Sequence, residues 1–202
     1  GLMLNVCIAL LPALVASTLI FGARALLVTG VTVAACVGFE ALYCVVMKKP
    51  VPVGDFSAVV TGMILAFNLP ATIPLWIAII GAFVAIVVAK QLFGGLGFNF
   101  ANPALLGRIV LFIGFAGRMT AYAFPQTDID ALASATPLVA GNSMAGKDML
   151  LQLLLGAHGG VLGETCAVAL ILGGIYLIAT KTISAAIPLS YIGTVAVLSL
   201  VL

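Results

Sequence analysis

Residues 56–89 read FSAVVTGMILAFNLPATIPLWIAIIGAFVAIVVA, the most informative segment of the chain. The segment contains no charged residue, yet Asn68-Leu69-Pro70 and Pro74 divide it into two apolar pieces. As a helix, the first piece (residues 57–69) would reach only about 20 Å, whereas the hydrocarbon core of a bilayer is about 30 Å thick. Broken helices are tolerated at membrane depth where protein buries them or where they line a cavity. The segment therefore predicts a membrane protein with interrupted helices.

The composition of the whole chain excludes a soluble globular domain. Of its 202 residues, 64% are hydrophobic and only 7% are charged, whereas soluble proteins are about one quarter charged. The mean hydropathy is +1.35. A formal net charge of +2 is too small to indicate a nucleic-acid partner. The four cysteines stand apart in apolar runs, which predicts buried thiols and no metal site.

Apolar segments recur along the entire chain. Residues 3–21 and 182–202 are long enough to span a bilayer without a charge, and residues 25–47 do so with one charge, Glu40. Shorter apolar pieces lie at residues 57–69, 73–89, 103–117 and 165–180. We therefore expect an all-α polytopic membrane protein with about seven full or half-length helices. Residues 1–202 are expected to form a single membrane domain, incomplete at both ends and part of a larger inverted-repeat-type bundle.

The basic residues predict an orientation in the membrane. If the first helix runs outward and every segment crosses, five basic residues fall on or near the cytoplasmic side and three fall outside. The first group is Lys48, Lys49, Lys90, Arg108 and Lys181, and the second is Arg24, Arg118 and Lys147. This distribution follows the positive-inside rule. It makes the long polar loop, residues 118–158, extracytoplasmic.

Polar and glycine residues at the breaks are typical of a ligand pocket. Asp55 is placed to cap a helix start. The three glycines within residues 94–97 exclude a helix interior, and Asn102-Pro103 favours a helix that restarts there. The free N–H groups of such a restart attract anions or polar ring edges. The candidate pocket residues are Thr61, Asn68, Gly94, Gly95, Gly97, Asn99, Asn102 and Arg108.

Glu40 is a candidate for ion coupling, together with Asp55. Carboxylates inside the membrane are costly and indicate an ion path or a buried partner. The alternative interpretation is a structural glutamate that is hydrogen-bonded to a neighbouring helix or subunit.

Four segments, in this order along the chain, resemble one family. They are residues 54–70, 94–107, 130–138 and 158–165. On these segments the whole chain resembles the D subunit of the Rnf ion-translocating electron-transfer complex. This family is related to the B subunit of the sodium-pumping NADH:quinone oxidoreductase. The resemblance implies a multi-pass protein of a bacterial or archaeal cytoplasmic membrane.

The resemblance also implies a covalent flavin. Family members carry FMN joined through its phosphate to a threonine hydroxyl, and a flavin transferase attaches it outside the cytoplasm. Thr136 stands at the acceptor position, and Asp130 and Ala135 match the pattern that the transferase recognises. Ala133 replaces the usual hydroxyl residue, and Ser134 replaces the usual glycine. A second flavin, riboflavin bound non-covalently, is a further expectation for the pocket at the glycine-rich break.

The implied function is electron relay in a membrane complex. The chain is expected to be a subunit of a ferredoxin:NAD⁺ oxidoreductase-type translocase that moves Na⁺ or H⁺ and works through flavin without acid–base residues of its own. Expected partners are the other Rnf subunits, including a second FMN-carrying subunit and iron–sulfur subunits, and the flavin transferase. Broken helices also suit a urea-channel-like transporter or channel without a redox role. Such a channel would not need the segment at residues 130–136.

Overall fold

The computed structural model describes residues 1–49, 53–122, 154, 156, 159–164 and 166–201. Two of its helices, α1 (Leu2–Phe21) and α2 (Ala23–Val46), are long and apolar enough to cross a bilayer. Five further apolar helical segments in the described part of the chain are shorter than a bilayer span. This arrangement confirms an all-α membrane protein with full and half-length helices.

The shorter helices follow in chain order. They are α3 (Ser57–Phe67), α4 (Leu75–Phe83) with a π-helical continuation (Val84–Gln91), α5 (Pro103–Gly114), α6 (Ala116–Met119), α7 (Ala167–Ala179) and α8 (Ala186–Val201). A short 3₁₀ turn, Val53–Asp55, precedes α3.

Local chemistry explains where α3 and α5 begin. The carboxylate of Asp55 accepts the backbone N–H of Ser57, the first residue of α3, at 2.7 Å. The side chain of Asn102 accepts the backbone N–H of Ala104 at 3.0 Å, and Pro103 occupies the first helical position. Both arrangements satisfy N–H groups that a helix start leaves without partners. The predicted helix starts are therefore confirmed.

The continuation of α4 differs from an ordinary α-helix. Residues 73–89 were expected to form one helix, but the chain is π-helical over Val84–Gln91. The backbone N–H of Leu92 donates to the carbonyl of Val87 at 3.0 Å, and the N–H of Gly95 donates to the carbonyl of Lys90 at 3.0 Å. Both bonds span five residues, the π-helical spacing, which is frequent at functional sites.

Two broken segments, the chain at the end of α3 and residues 159–164, meet inside the bundle. The backbone N–H of Leu162 donates to the carbonyl of Leu69 at 3.0 Å, and the N–H of Gly163 donates to the carbonyl of Phe67 at 2.9 Å. A Cβ atom on Gly163 would lie 2.5 Å from the Cβ of Phe67, so only glycine allows this approach. The carbonyls freed at the end of α3 thus find partners within the protein, as a lipid environment requires.

The basic residues sort into two ends of the bundle. Arg24 donates to the backbone carbonyls of Ala71 and Ile73, and Thr72 donates to the carbonyl of Ala121, so Arg24 and the segment after α6 share one end. We call this the arginine end. Lys48 and Lys49 follow α2 at the opposite end, which we call the lysine end.

Arg108 departs from its predicted place near the cytoplasmic surface. Its half-buried guanidinium donates to the side-chain oxygen of Asn68 at 2.9 Å, just after the last residue of α3. Arg108 is long enough to bridge from the second turn of α5 to this break. It therefore lies within the bundle and does not belong to the lysine end.

Candidate functional site

A buried ion pair lies between α2 and the π-helical segment Val84–Gln91, which we call the π-helical turn. The ammonium nitrogen Nζ of Lys90 donates to Oε1 of Glu40 at 2.6 Å, and Nε2 of Gln91 donates to the same oxygen at 2.7 Å. The Lys90 side chain is 2% exposed and that of Glu40 is 0% exposed. Intramembrane charges are paired in this way because an isolated charge is costly in a medium of low polarity.

The ion pair is linked to the surface through Ser57. Lys90 Nζ also donates to the Ser57 hydroxyl at 2.6 Å, and that hydroxyl donates to Oδ1 of Asp55 at 2.6 Å. Ser57 is buried, whereas Asp55 is exposed. One hydroxyl group therefore separates a buried lysine from a carboxylate that solvent can reach. We call Glu40, Asp55, Ser57, Lys90 and Gln91 the polar cluster.

The π-helical turn accounts for the position of two neighbouring side chains. Lys90 and Gln91 are consecutive, and both reach Glu40 Oε1. A π-helix turns less per residue than an α-helix, so consecutive side chains diverge less around the axis. The unusual backbone thus places an ammonium and an amide on one carboxylate oxygen.

A cavity of about 260 Å³ adjoins the polar cluster at the lysine end. Its lining includes Glu40, Lys90 and Gln91 from the interior and Asp55 and Lys49 from the surface. The second carboxylate oxygen of Glu40, Oε2, is buried and has no hydrogen-bond partner among the described residues. A buried oxygen without a partner beside a polar cavity can receive a cation or water.

A second cavity, of about 370 Å³, lies at the meeting point of the two broken segments. Asn68, Arg108 and Glu164 supply its polar groups, and residues such as Leu10 and Phe67 supply apolar surface. Small-molecule pockets are commonly about 300–1,000 Å³ and combine apolar walls with a few polar groups. The cavity of about 370 Å³ combines apolar walls and polar groups in this way, whereas more charged side chains line the cavity of about 260 Å³.

The eight predicted pocket residues do not form one pocket. Asn68 and Arg108 meet at the larger cavity, whereas Gly94 and Gly95 line the smaller one. Gly97 and Asn102 are exposed in the connection before α5. The predicted residues separate because the glycine-rich break follows the π-helical segment that contains Lys90, whereas Asn68 follows α3.

Two predicted pocket residues have other surroundings. The Thr61 hydroxyl donates to the carbonyl of Ser57 in its own helix at 2.9 Å, and Thr61 lines neither of the two cavities. The buried side-chain oxygen of Asn99 has no partner among the described residues.

The three glycines at residues 94, 95 and 97 adopt positive φ angles of 91–112°, as a chain that leaves a helix requires.

Several predicted residues lie outside the described part of the chain. They are Asp130, Ser134, Ala135 and Thr136, together with most of the loop at residues 118–158. Within the described residues, no group of three or more metal-ligating side chains is present.

The polar cluster contains residues that sequence reasoning missed. Glu40 and Asp55 were selected, but Lys90 was interpreted as a residue of the cytoplasmic boundary, and Ser57 and Gln91 were not selected. Lys90 follows an apolar segment directly, so a surface position was a natural interpretation. A lysine beside a glycine-rich break, opposite a lone intramembrane glutamate, was the available signal for a buried pair.

Comparisons with known proteins relate the chain to redox-driven ion translocases. It is 43% identical over 99% of its length to the D subunit of the Na(+)-translocating ferredoxin:NAD(+) oxidoreductase complex of Acetobacterium woodii. It is 39% identical over 98% of its length to the proton-translocating counterpart of Clostridium ljungdahlii. The D subunit of the ion-translocating oxidoreductase complex of Stutzerimonas stutzeri is 36% identical over 98% of this chain.

The chain spans 63–65% of the length of these three relatives. The model of the NQR2, RnfD, RnfE family matches residues 1–202. The resemblance drawn from the four sequence segments is thereby confirmed, and the chain belongs to the NQR2, RnfD, RnfE family.

Proposed function

We propose that this chain is part of a membrane subunit of an ion-translocating ferredoxin:NAD⁺ oxidoreductase-type complex. The observation that carries the proposal is the family match over all 202 residues, together with relatives named as D subunits of such complexes. The buried polar cluster supports it, because an ion-translocating subunit needs charged groups within the bundle. The partners are the other subunits of the complex, including a second FMN-carrying subunit and iron–sulfur subunits.

The covalent flavin is the second part of the proposal. Thr136 holds FMN through a phosphoester, and Asp130, Ser134 and Ala135 are the residues that a flavin transferase reads. Bound FMN supplies electron transfer in one- or two-electron steps, and the protein sets its position and potential. The loop at residues 118–158 therefore faces the outside of a bacterial or archaeal cytoplasmic membrane, where the transferase acts.

A non-covalent riboflavin fits the larger cavity better than the glycine-rich break. The cavity of about 370 Å³ offers the Asn68 amide and the Arg108 guanidinium, which can hydrogen-bond to ring carbonyl groups. The cavity beside Gly94 and Gly95 is about 260 Å³ and is bordered by four charged side chains. Its size is below the usual range of about 300–1,000 Å³ for small-molecule sites. We assign that smaller cavity to ions.

Two measurements test the proposal. Mass analysis of the tryptic peptide between Arg118 and Lys147 should show an added FMN phosphoester. Inverted membrane vesicles that contain the complex should take up Na⁺ or H⁺ when reduced ferredoxin and NAD⁺ are supplied. Vesicles that lack this membrane chain are the control. Uptake that persists in its absence would contradict its role in the translocase.

A further inference from the structure

We propose that Lys90 is an internal cation that competes with Na⁺ for Glu40, and that its ammonium moves toward Asp55 when Na⁺ enters. The inference rests on the proposed ion-translocating function and assigns a positioning role to Lys90. It concerns the polar cluster and the cavity of about 260 Å³ beside it.

The charges of the polar cluster favour a monovalent cation. The cluster holds two carboxylates, Glu40 and Asp55, and one ammonium, Lys90. With these charges the cluster is negative by one unit, and Lys49 at the mouth of the cavity adds one positive charge. A monovalent cation therefore leaves less uncompensated charge in the bundle than a divalent cation, and a medium of low polarity disfavours such charge.

The donor atoms of the polar cluster suit a hard cation. Glu40 Oε2 is buried without a partner among the described residues, and Glu40 Oε1 is already occupied by Lys90 and Gln91. The Ser57 hydroxyl oxygen lies beside the Lys90 ammonium and adds a neutral oxygen to the cluster, whereas the Gln91 side chain presents its N–H group to Glu40. Carboxylate and hydroxyl oxygens are hard ligands of the kind that hard cations prefer. A proton would need only the carboxylate, so the additional hydroxyl oxygen favours Na⁺.

Lys90 also has a second carboxylate within reach. Its ammonium already contacts Ser57, and Ser57 contacts Asp55. A small rotation of the long lysine side chain would exchange Glu40 for Asp55 without leaving the charge unpaired. Asp55 and Lys49 line the outer part of the cavity, so Na⁺ has an entrance from the lysine end.

The competition has a measurable consequence. A site that is free for only a fraction of the time binds its ligand more weakly by that fraction. If Lys90 occupies Glu40 about nine-tenths of the time, its removal strengthens apparent Na⁺ binding about tenfold. The loss of Ser57 has the opposite effect, because Na⁺ then lacks the hydroxyl oxygen of the polar cluster.

The experiment uses the complete purified complex and measures the Na⁺ concentration that gives half of the maximal thermal stabilisation, with K⁺ keeping ionic strength constant. This readout does not require turnover. Lys90→Met should lower the half-saturating Na⁺ concentration about tenfold, and Ser57→Ala should raise it. Lys49→Met is the matched control, because it removes a positive charge from the mouth of the same cavity. It should change the value much less than Lys90→Met does.

The outcomes separate this inference from the proposed function. If Lys90→Met and Lys49→Met shift the half-saturating concentration equally, Lys90 does not compete with Na⁺. If Lys90→Met does not assemble, an unchanged value in Ser57→Ala overturns the inference. A wild-type complex that does not respond to Na⁺, yet pumps protons in vesicles, also overturns it while leaving the proposed function intact. A complex that shows no ion uptake contradicts the proposed function itself.

Discussion

Gly173 lies directly against the backbone of Ala9: a Cβ atom on Gly173 would overlap the Ala9 carbonyl oxygen. The two residues belong to α7 and α1, which therefore pack backbone to backbone at this point. Close approach at small residues is a principal means of helix association in membranes, where lipid removes the hydrophobic driving force.

Gly173→Ala should force α1 and α7 apart. The added methyl group has no space, and overpacking of this kind costs about 1–3 kcal/mol. Unfolding of the purified protein in detergent, followed by circular dichroism, should show the loss. Gly174→Ala is the matched control, since nothing lies within 4 Å of a Cβ there. Equal stability of the two variants would show that the contact is not tight.

Glu40→Gln should be more destabilising than the double variant Glu40→Gln with Lys90→Met. Removing one partner of a buried ion pair leaves an uncompensated charge and costs about 3–5 kcal/mol, whereas replacing both partners can be neutral. A double-mutant cycle on the free energy of unfolding measures the coupling. Additive effects would contradict a direct interaction between these side chains.

Arg108→Gln should loosen the junction between α5 and the end of α3. The lost hydrogen bond to Asn68 involves a charged donor, and such bonds contribute about 1.5–3 kcal/mol. Arg118→Gln is the control, because Arg118 is exposed and surface changes usually stay within about 0.5 kcal/mol. The free energy of unfolding is the measurement. A loss of stability no larger than that of the control would show that the hydrogen bond between Arg108 and Asn68 does not stabilise this junction.

Thr136→Ala should abolish covalent flavin while the protein still inserts and assembles. Ultraviolet-excited flavin fluorescence should disappear from the denatured protein band, because the acceptor oxygen is gone. Ser134→Ala should keep the fluorescence, and Asp130→Asn should weaken it by impairing recognition. Flavin that survives denaturation in Thr136→Ala would contradict the acceptor assignment and direct attention to Ser134.

Ser143→Cys should react with a membrane-impermeant thiol reagent in intact cells, since the loop at residues 118–158 is proposed to face outside. The modification is read as a mass shift of the labelled protein, in a background with the native cysteines replaced. A cysteine placed at Lys49, at the lysine end, should react only after lysis. The reverse pattern would invert the proposed orientation.

Sequence reasoning succeeded where the determinants are local. Asp55, Pro70 and the Asn102-Pro103 pair set helix ends through their own backbone chemistry, so the sequence alone located the ends of α3 and the start of α5. It failed at Val84–Gln91, because nothing in the sequence of this segment distinguishes a π-helix from an α-helix.

The partner of Glu40 could not be found from local sequence either. Lys90 lies fifty residues away along the chain, and only the packing of α2 against the π-helical turn brings the two charges together. The same holds for Arg108, whose bond to Asn68 spans forty residues. The sequence identified Glu40 as a costly intramembrane charge, and the fold determined that Lys90 shares its site.

The pairing of Phe67 with Gly163 has a consequence for biosynthesis. Nearly one hundred residues separate the two, and a ribosome that adds about 5–20 residues per second needs about 5–20 s to produce them. During that interval the carbonyl oxygens at the end of α3 lack their final partners, and lipid cannot supply replacements. The nascent break must therefore wait beside water or the insertion machinery until its counterpart emerges. Although synthesised early, the break reaches its final surroundings only after Leu162 and Gly163 have emerged.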